Sequence, residues 1–147
     1  MPASVETSID AVASYIEERV PRGRRRVAAL HDWVADRIAY APGGPSTAQQ
    51  TFEERRGVCA GYAALLRALA DAADEDVTYV TGKARGSDGR KLSEHAWNLA
   101  RIRHHDEPID VTWDAGYLVD GVFEKRFSRR WLFVSPTEFA TTHVPDD

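Results

Sequence analysis

A single cysteine, Cys59, stands in 147 residues. That scarcity excludes an intrachain disulfide and the usual four-cysteine zinc sites, so the thiol is free. No apolar run approaches the roughly 20 residues of a membrane span, and the N-terminus lacks the basic-then-apolar pattern of a signal peptide. We therefore expect no membrane contact and a reducing cytoplasm. The formal charge of −4 leaves no electrostatic footprint for nucleic acid, which needs a clustered basic surface. The one basic run, Arg22-Gly23-Arg24-Arg25-Arg26, precedes a helical pattern and reads as a solvated face. The acidic stretch Asp71 to Asp76 lacks the alternating pattern, central Gly and closing Glu of a calcium loop. Internal repeats and low-complexity segments are also missing.

What is present suits one domain, 1–147, able to bury roughly 68–70% of its unfolded surface. Hydrophobic residues at 43% and charged residues at 29%, with four Trp, five Tyr and five Phe, describe an ordinary globule with bulk for a core. Val5, Ile9, Val12 and Ile16 predict a first amphipathic helix that Pro21 interrupts. Val27, Leu30, Val34 and Ile38 predict a second, ending near Tyr40. After the breaker Ala41-Pro42-Gly43-Gly44-Pro45, Ser46 and Gln49 read as a capping box for a short third helix through about Glu54. From Cys59, the positions Tyr62, Leu65, Leu66 and Leu69 fall on one stripe, which starts a fourth helix at the cysteine.

Beyond Asp76 the chain turns to strands. Val77-Thr78-Tyr79-Val80-Thr81 is β-branched and aromatic, Arg85 to Arg90 is a turn or exposed loop, and a second strand runs from about Glu94 to Arg103. Extended pieces follow at Ile109 to Trp113, Tyr117 to Val119 and Trp131 to Val134, and Ser135-Pro136-Thr137-Glu138 marks a brief helical turn. Helices first and strands second predict an α+β fold, with N-terminal helices packed on a mainly antiparallel sheet.

A lone cysteine is ordinarily a small buried apolar residue. Cys59 differs in sitting where a helix N-terminus favours the thiolate, and it becomes a nucleophile candidate if a histidine and a carboxylate meet it. His95, early in one strand, and Asp110, in the next, become cross-strand neighbours if those strands pair around a turn at His104-His105-Asp106-Glu107. A carboxylate there would fix the imidazole's tautomer and stabilise its protonated form. Asn98 lies on the strand face opposite His95, and Asp114 reads as a turn residue, so neither displaces Asp110. Pro108 places an edge or a bulge just before Asp110.

These motifs, Gly57-Val58-Cys59-Ala60-Gly61-Tyr62-Ala63, His95-Ala96-Trp97-Asn98 and Asp110-Val111-Thr112-Trp113, resemble in order those of the transglutaminase-like superfamily, whose fold is related to papain-type cysteine proteases. The stretch His31 to Tyr40 resembles the helix before the cysteine. The ending, with Trp131-Leu132-Phe133, Ser135 to Phe139 and His143 to Asp147, is similar to the kyphoscoliosis-peptidase and cytokinesis-protein branch. The resemblance covers roughly residues 25 to 147. Where the family turns back through a Gly and a Trp-Tyr pair, this chain has Arg103 to Pro108.

The resemblance implies Cys59 as nucleophile, His95 as base and later acid, and Asp110 as the residue that orients His95. It implies a cysteine peptidase, amidase or acyltransferase acting on amide bonds of a peptide or protein through a thioester, without a cofactor or metal. The backbone N–H of Cys59 is a natural half of an oxyanion hole, with Gln49 and Gln50 as candidates for the other half. A different class of reading is a docking module that keeps the fold without turnover. Acetyl transfer from a thioester carrier ranks last, since no nucleotide-carrier pocket is recognisable. His104-His105-Asp106 offers no third spaced metal ligand, and His31 and His143 read as packing or surface residues. Trp97, Trp113 and Trp131 either pack the core or border a groove, with packing the default.

Overall fold

Chain order and apolar spacing together set the helical layer. The computed structural model describes residues 1–86 and 92–146. Helix α1 spans Ile9–Arg19, its first turn capped by Ser8, whose hydroxyl accepts from the Ala11 N–H at 3.0 Å. Val12, Ala13 and Ile16 form its buried face, while Val5 lies apart in the 3-10 turn Ala3–Val5. Helix α2, Arg24–Arg37, buries Val27, Leu30 and Val34. It stops before the expected end at Tyr40 because Ile38 turns extended (φ −106, ψ 134), releasing Ala39–Tyr40 as the short strand β1. Helix α3, Ala48–Glu54, is capped by Thr47, one residue beyond the expected Ser46; its hydroxyl accepts from Gln50 N–H at 3.3 Å. Strand β2, Arg56–Gly57, pairs in parallel with β1, and helix α4 then runs Cys59–Ala72.

The apolar stripe of α4 behaves as its spacing requires. Tyr62, Leu65, Leu66 and Leu69 are fully buried between α1 and α2 on one side and the sheet on the other. The basic run is not wholly solvated, a correction to its sequence reading. The Arg26 guanidinium is buried and donates to the carbonyls of Val20, Ala73 and Glu17, tying the ends of α1 and α4 to the start of α2. Its planar fork supplies several donors in fixed directions, which is what loose carbonyls at helix ends need.

The main sheet has the order β5-β4-β3-β8, with every pairing antiparallel: β3 is Val77–Arg85, β4 Leu92–Ile102, β5 His105–Ile109 and β8 His143–Pro145. Between β3 and β4, residues 87–90 of the predicted Arg85 to Arg90 turn lie outside the described residues. The β4–β5 turn is tighter than expected. Ile102 pairs with His105, so only Arg103 and His104 make the turn, with Arg103 at φ 60. Pro108 does sit in an edge strand, where its missing N–H costs no ladder bond.

Past Ile109 the expected strand gives way to the 3-10 turn Thr112–Asp114, because Asp110 draws the Trp113 N–H onto its own carboxylate at 3.3 Å. Trp131 to Val134 contributes only a bridge between Leu132 and Ile109. A separate hairpin pairs β6, Gly116–Val119, with β7, Val122–Lys125, through Asp120 and Gly121 at φ 50 and 80, the double positive φ that suits a two-residue hairpin turn. The predicted helical turn is α5, Pro136–Phe139, with Ser135 accepting from Glu138 N–H at 3.2 Å.

Candidate active site

Cys59 is the first residue of α4, and the segment before it is clamped at several points. Tyr40 and Gly57 are register partners, and Val58 N–H donates to the Pro45 carbonyl at 3.0 Å. The first helical bond is Tyr62 N–H to Val58 O, which leaves the amides of Cys59, Ala60 and Gly61 outside the helix ladder. Among the described residues no side chain caps this end and no acid occupies its first turn, so its partial positive charge is available to the thiol. Gly61 answers a local crowding: a Cβ there would lie 2.4 Å from Thr51 Oγ1 and 2.6 Å from the Pro45 carbonyl oxygen. The α3 segment thus packs directly on the first turn behind the thiol.

His95 projects from β4, where its backbone pairs with Gly82. Its ring stacks on Trp113 at 5.3 Å, and its Nε2 lies 2.7 Å from Asp110 Oδ2. Asp110 reaches it from beyond the end of β5 rather than from within a strand: Ile109 pairs with Asn98, and the Asp110 N–H donates to the Trp131 carbonyl at 2.9 Å. Asn98 faces the other way, as its odd separation from His95 requires, and donates to the Ala63 carbonyl on α4 at 3.0 Å. The three residues singled out in the sequence converge here.

A fourth group completes the cluster. His143 Nε2 lies 2.7 Å from the same Asp110 Oδ2, and both side chains are fully buried. His143 comes from β8, which pairs with β3 at Ala84, so only long-range strand pairing brings it to the site. The sequence reading took it for a packing or surface residue; the one signal that could have found it was its place in the family-like ending, not local periodicity. His95, Asp110 and His143 offer ligand atoms within 4.8 Å of one another. Both imidazoles approach one carboxylate oxygen at hydrogen-bond distance, whereas a zinc ion would need about 2.0–2.2 Å to each donor from a common centre. The spacing is that of a proton-linked chain. His104 and His105 are exposed and lie apart from it.

The electrostatics follow from burial and pairing. Burial opposes charge on the Cys59 thiol, but its hydrogen bond to His95, the charge on that ring and the Ala96 amide outweigh burial and the repulsion of Asp110, so its pKa falls below the ordinary value. For His95, burial is again overcome, here by the Asp110 charge, the hydrogen bond to Asp110 and the Cys59 thiolate; its pKa rises to about 10. Asp110, despite complete burial, is held below the usual carboxylate range by the His95 charge and the hydrogen bonds from His143 and His95.

The thiol and His95 open into a cleft of about 620 Å³, walled by Tyr40, Trp113, Tyr117, Leu118 and Trp131. Trp113 and Trp131 therefore border a groove, while Trp97 packs beneath it against Val134 and Phe139. Gln49 and Gln50 are exposed on α3 and take no part in the cleft wall; Gln49 donates to Glu53 at 2.8 Å. Tyr40 does line it, and burial with the Cys59 charge raises the pKa of its phenol.

A second imidazole–carboxylate pair lies nearby, which the sequence reading treated as packing and a turn. His31 on α2 and Asp114 are fully buried, with His31 Nε2 to Asp114 Oδ2 at 2.8 Å and His31 Nδ1 to Asp32 Oδ1 at 2.9 Å. Asp114 Oδ1 also accepts from the Ser128 hydroxyl at 2.7 Å and the Trp131 amide at 3.0 Å.

Comparison with known proteins agrees with this architecture. Among solved structures, a candidate cysteine protease from Cytophaga hutchinsonii is 26% identical with a TM-score of 0.62, over 73% of this chain and 37% of its own. The periplasmic domain of TgpA from Pseudomonas aeruginosa bound to ethylmercury is 22% identical with a TM-score of 0.58, over 77% of this chain and 46% of its own. A protein described as a TGase is 18% identical with a TM-score of 0.53, over 83% and 35%. This chain thus spans less than half the length of each. No curated protein matches the sequence. Residues 10–113 match the transglutaminase-like superfamily, and the chain belongs to it.

Proposed function

We propose that this chain is a cysteine-dependent acyl-transfer enzyme acting on amide bonds of peptides or proteins, with Cys59 as nucleophile, His95 as acid and base, and Asp110 orienting His95. The observation that carries the reading is geometric: the buried Asp110 carboxylate holds His95 Nε2 at 2.7 Å, and His95 lines the same open cleft as the Cys59 thiol. Since Nε2 of His95 is engaged by Asp110, the ring's Nδ1 serves the thiol.

In this reaction the Cys59 thiolate attacks the amide carbonyl, and the tetrahedral intermediate collapses as the C–N bond breaks. The His95 imidazolium gives its proton to the departing amine, leaving a thioester and a neutral ring. Water, or a second amine, then attacks the thioester; His95 takes the incoming proton and the C–S bond breaks, restoring the thiolate–imidazolium pair. The free amide of Cys59 is suited to the developing oxyanion. Tyr40 supplies the second donor, supported by its place in the cleft wall and its fixed register two residues ahead of the thiol.

The aromatic and apolar wall suits an extended peptide with an apolar side chain near the reacting amide, and hydrolysis is favoured over crosslinking. Membership of the kyphoscoliosis-peptidase branch rests on residues 131–147, outside the matched span. No helix among the described residues is long and apolar enough to cross a membrane. The TgpA neighbours are periplasmic domains.

Iodoacetamide at pH 6 tests the reading directly. An ordinary thiol of pKa about 8.5 is almost wholly protonated there, so rapid alkylation of Cys59 is the expected result and alkylation only above pH 8 would defeat it. A Cys59→Ser protein with undiminished biological effect would point to a docking module instead.

A further inference from the structure

We propose that His143 is a positioning residue of this reaction: its imidazole, delivered by the last strand, clamps the carboxylate oxygen of Asp110 that orients His95. The inference rests on the acyl-transfer reading above. The working unit is then Cys59, His95, Asp110 and His143, and the fourth member touches neither thiol nor cleft.

The geometry leaves the ring little freedom. His143 stacks on Phe139 at 3.7 Å and 14°, and meets Trp97 edge-on at 4.9 Å and Trp113 at 4.7 Å. Strand pairing fixes its backbone, through Ala84 and through the Arg85 N–H donated to the Thr142 carbonyl at 2.8 Å. The proton on Nε2 follows from its partner. Asp110 is held ionised and accepts, so the His143 Nε2 facing Oδ2 carries a proton; on the ring's other side Nδ1 lies 2.8 Å from the Thr142 hydroxyl, which itself donates to the Phe139 carbonyl at 3.2 Å.

The clamp matters because a buried carboxylate is costly unless its oxygens are satisfied. Among the described residues Oδ1 of Asp110 receives only the long bond from Trp113 N–H at 3.3 Å, so Oδ2 carries most of the compensation, shared by two imidazoles at 2.7 Å each. Without His143, Asp110 would lose one of its two short bonds and the counterforce that keeps Oδ2 aligned with His95 Nε2. A carboxylate free to swing off Nε2 no longer faces the His95 imidazolium squarely, and a His95 less held as the cation supports the Cys59 thiolate less. The effect passes through two hydrogen bonds to the sulfur, which a packing role alone does not do.

The test measures iodoacetamide alkylation of Cys59 from pH 5 to 9 in the full chain, alongside thermal melting. His143→Phe keeps an aromatic ring but no donor; its alkylation midpoint should move up by about one pH unit, slowing the reaction about tenfold at pH values well below the native midpoint. His143→Gln, which can present an N–H near the Nε2 position, should stay close to the native midpoint. Thr142→Val keeps the ring and removes the hydroxyl on Nδ1, so it should give a smaller upward shift and serves if His143→Phe does not fold. A native midpoint in His143→Phe, or in Thr142→Val where the former is unfolded, would overturn the proposal even if melting falls. An unreactive native thiol defeats the acyl-transfer reading and the clamp with it; a reactive one indifferent to His143 defeats the clamp alone.

Discussion

The protein contains two buried imidazole–carboxylate pairs that draw their acids from opposite ends of one short segment, Asp110 and Asp114. Each acid binds a histidine through Oδ2, at 2.7 Å for His95 and 2.8 Å for His31. In both, burial opposes the imidazolium and the acid outweighs it, so both histidines have raised pKa values. What separates them is the third neighbour. Beyond His95 lie a thiol and an open cleft; beyond His31 lies Asp32, itself joined to Arg129. A carboxylate–imidazole pair is thus a part that serves either chemistry or architecture, and access to a nucleophile decides which.

The largest expected effect breaks the symmetry between the histidines. If Cys59 and His95 act as the proposed nucleophile and base, His95→Ala should reduce amine or ammonia release from peptide substrates by at least about 10³-fold, as Cys59→Ala should, since such a pair works as one unit. His31→Gln should leave the turnover of the folded protein nearly native. Release that survives the first two changes would remove the distinction. Between these extremes, Tyr40→Phe should lower kcat about 10²-fold with little change in KM if the phenol meets the oxyanion, the loss typical of one such donor. A loss confined to KM would make Tyr40 a mere wall of the groove.

The acids sharpen the comparison in a different readout. Asp110→Asn should weaken catalysis more than folding, because its imidazole loses orientation and charge. His31→Leu should do the reverse, costing about 3 kcal/mol by leaving the Asp114 carboxylate buried without its cationic partner. Chemical denaturation with alkylation at pH 6 on the same samples separates the two losses. Equal stability losses without any difference in alkylation would show that both pairs are only structural.

Much of this arrangement was legible because local periodicity decides helices. The stripe Tyr62, Leu65, Leu66 and Leu69 fixed the start of α4 at Cys59, and that start gives the thiol its electrostatics. Strand limits were less legible, since a strand's length depends on distant partners. Nothing local to Thr142 and His143 announces that they will pair with Ala84 and Arg85. Nor does a lone Asp after Trp113 reveal that Ser128, the Trp131 amide and His31 will surround it. His95 and Asp110 stood out through motif resemblance and strand alternation, yet Asp110 reaches its partner from a turn. That these residues would meet was therefore easier to read than the backbone that presents them.

The smallest effect is the pH dependence of folding, and its sign differs from that of ordinary acid denaturation. A histidine whose folded pKa exceeds its unfolded value contributes stability that is complete below about pH 6.5 and fades as pH rises through the folded value. His31 and His95 both act in this direction, and His95 does so up to about pH 10. Asp32 and Asp110, with lowered pKa values, contribute in the opposite limb, where stability fades as pH falls below the usual carboxylate range. These imidazoles pull melting down from pH 7 towards pH 10, while Lys125, lowered by burial to about 8, and Cys59, also lowered, pull the other way in the same window. Each pKa unit of elevation is worth about 1.4 kcal/mol, a shift of about 3–6 °C for a chain of this size. His31→Gln should remove part of that downward slope while leaving the alkylation profile of Cys59 unchanged, and His95→Gln should alter both. A His31→Gln protein with the native slope would mean that this imidazole is neutral in the folded state, and the likeness between the two pairs would end at geometry.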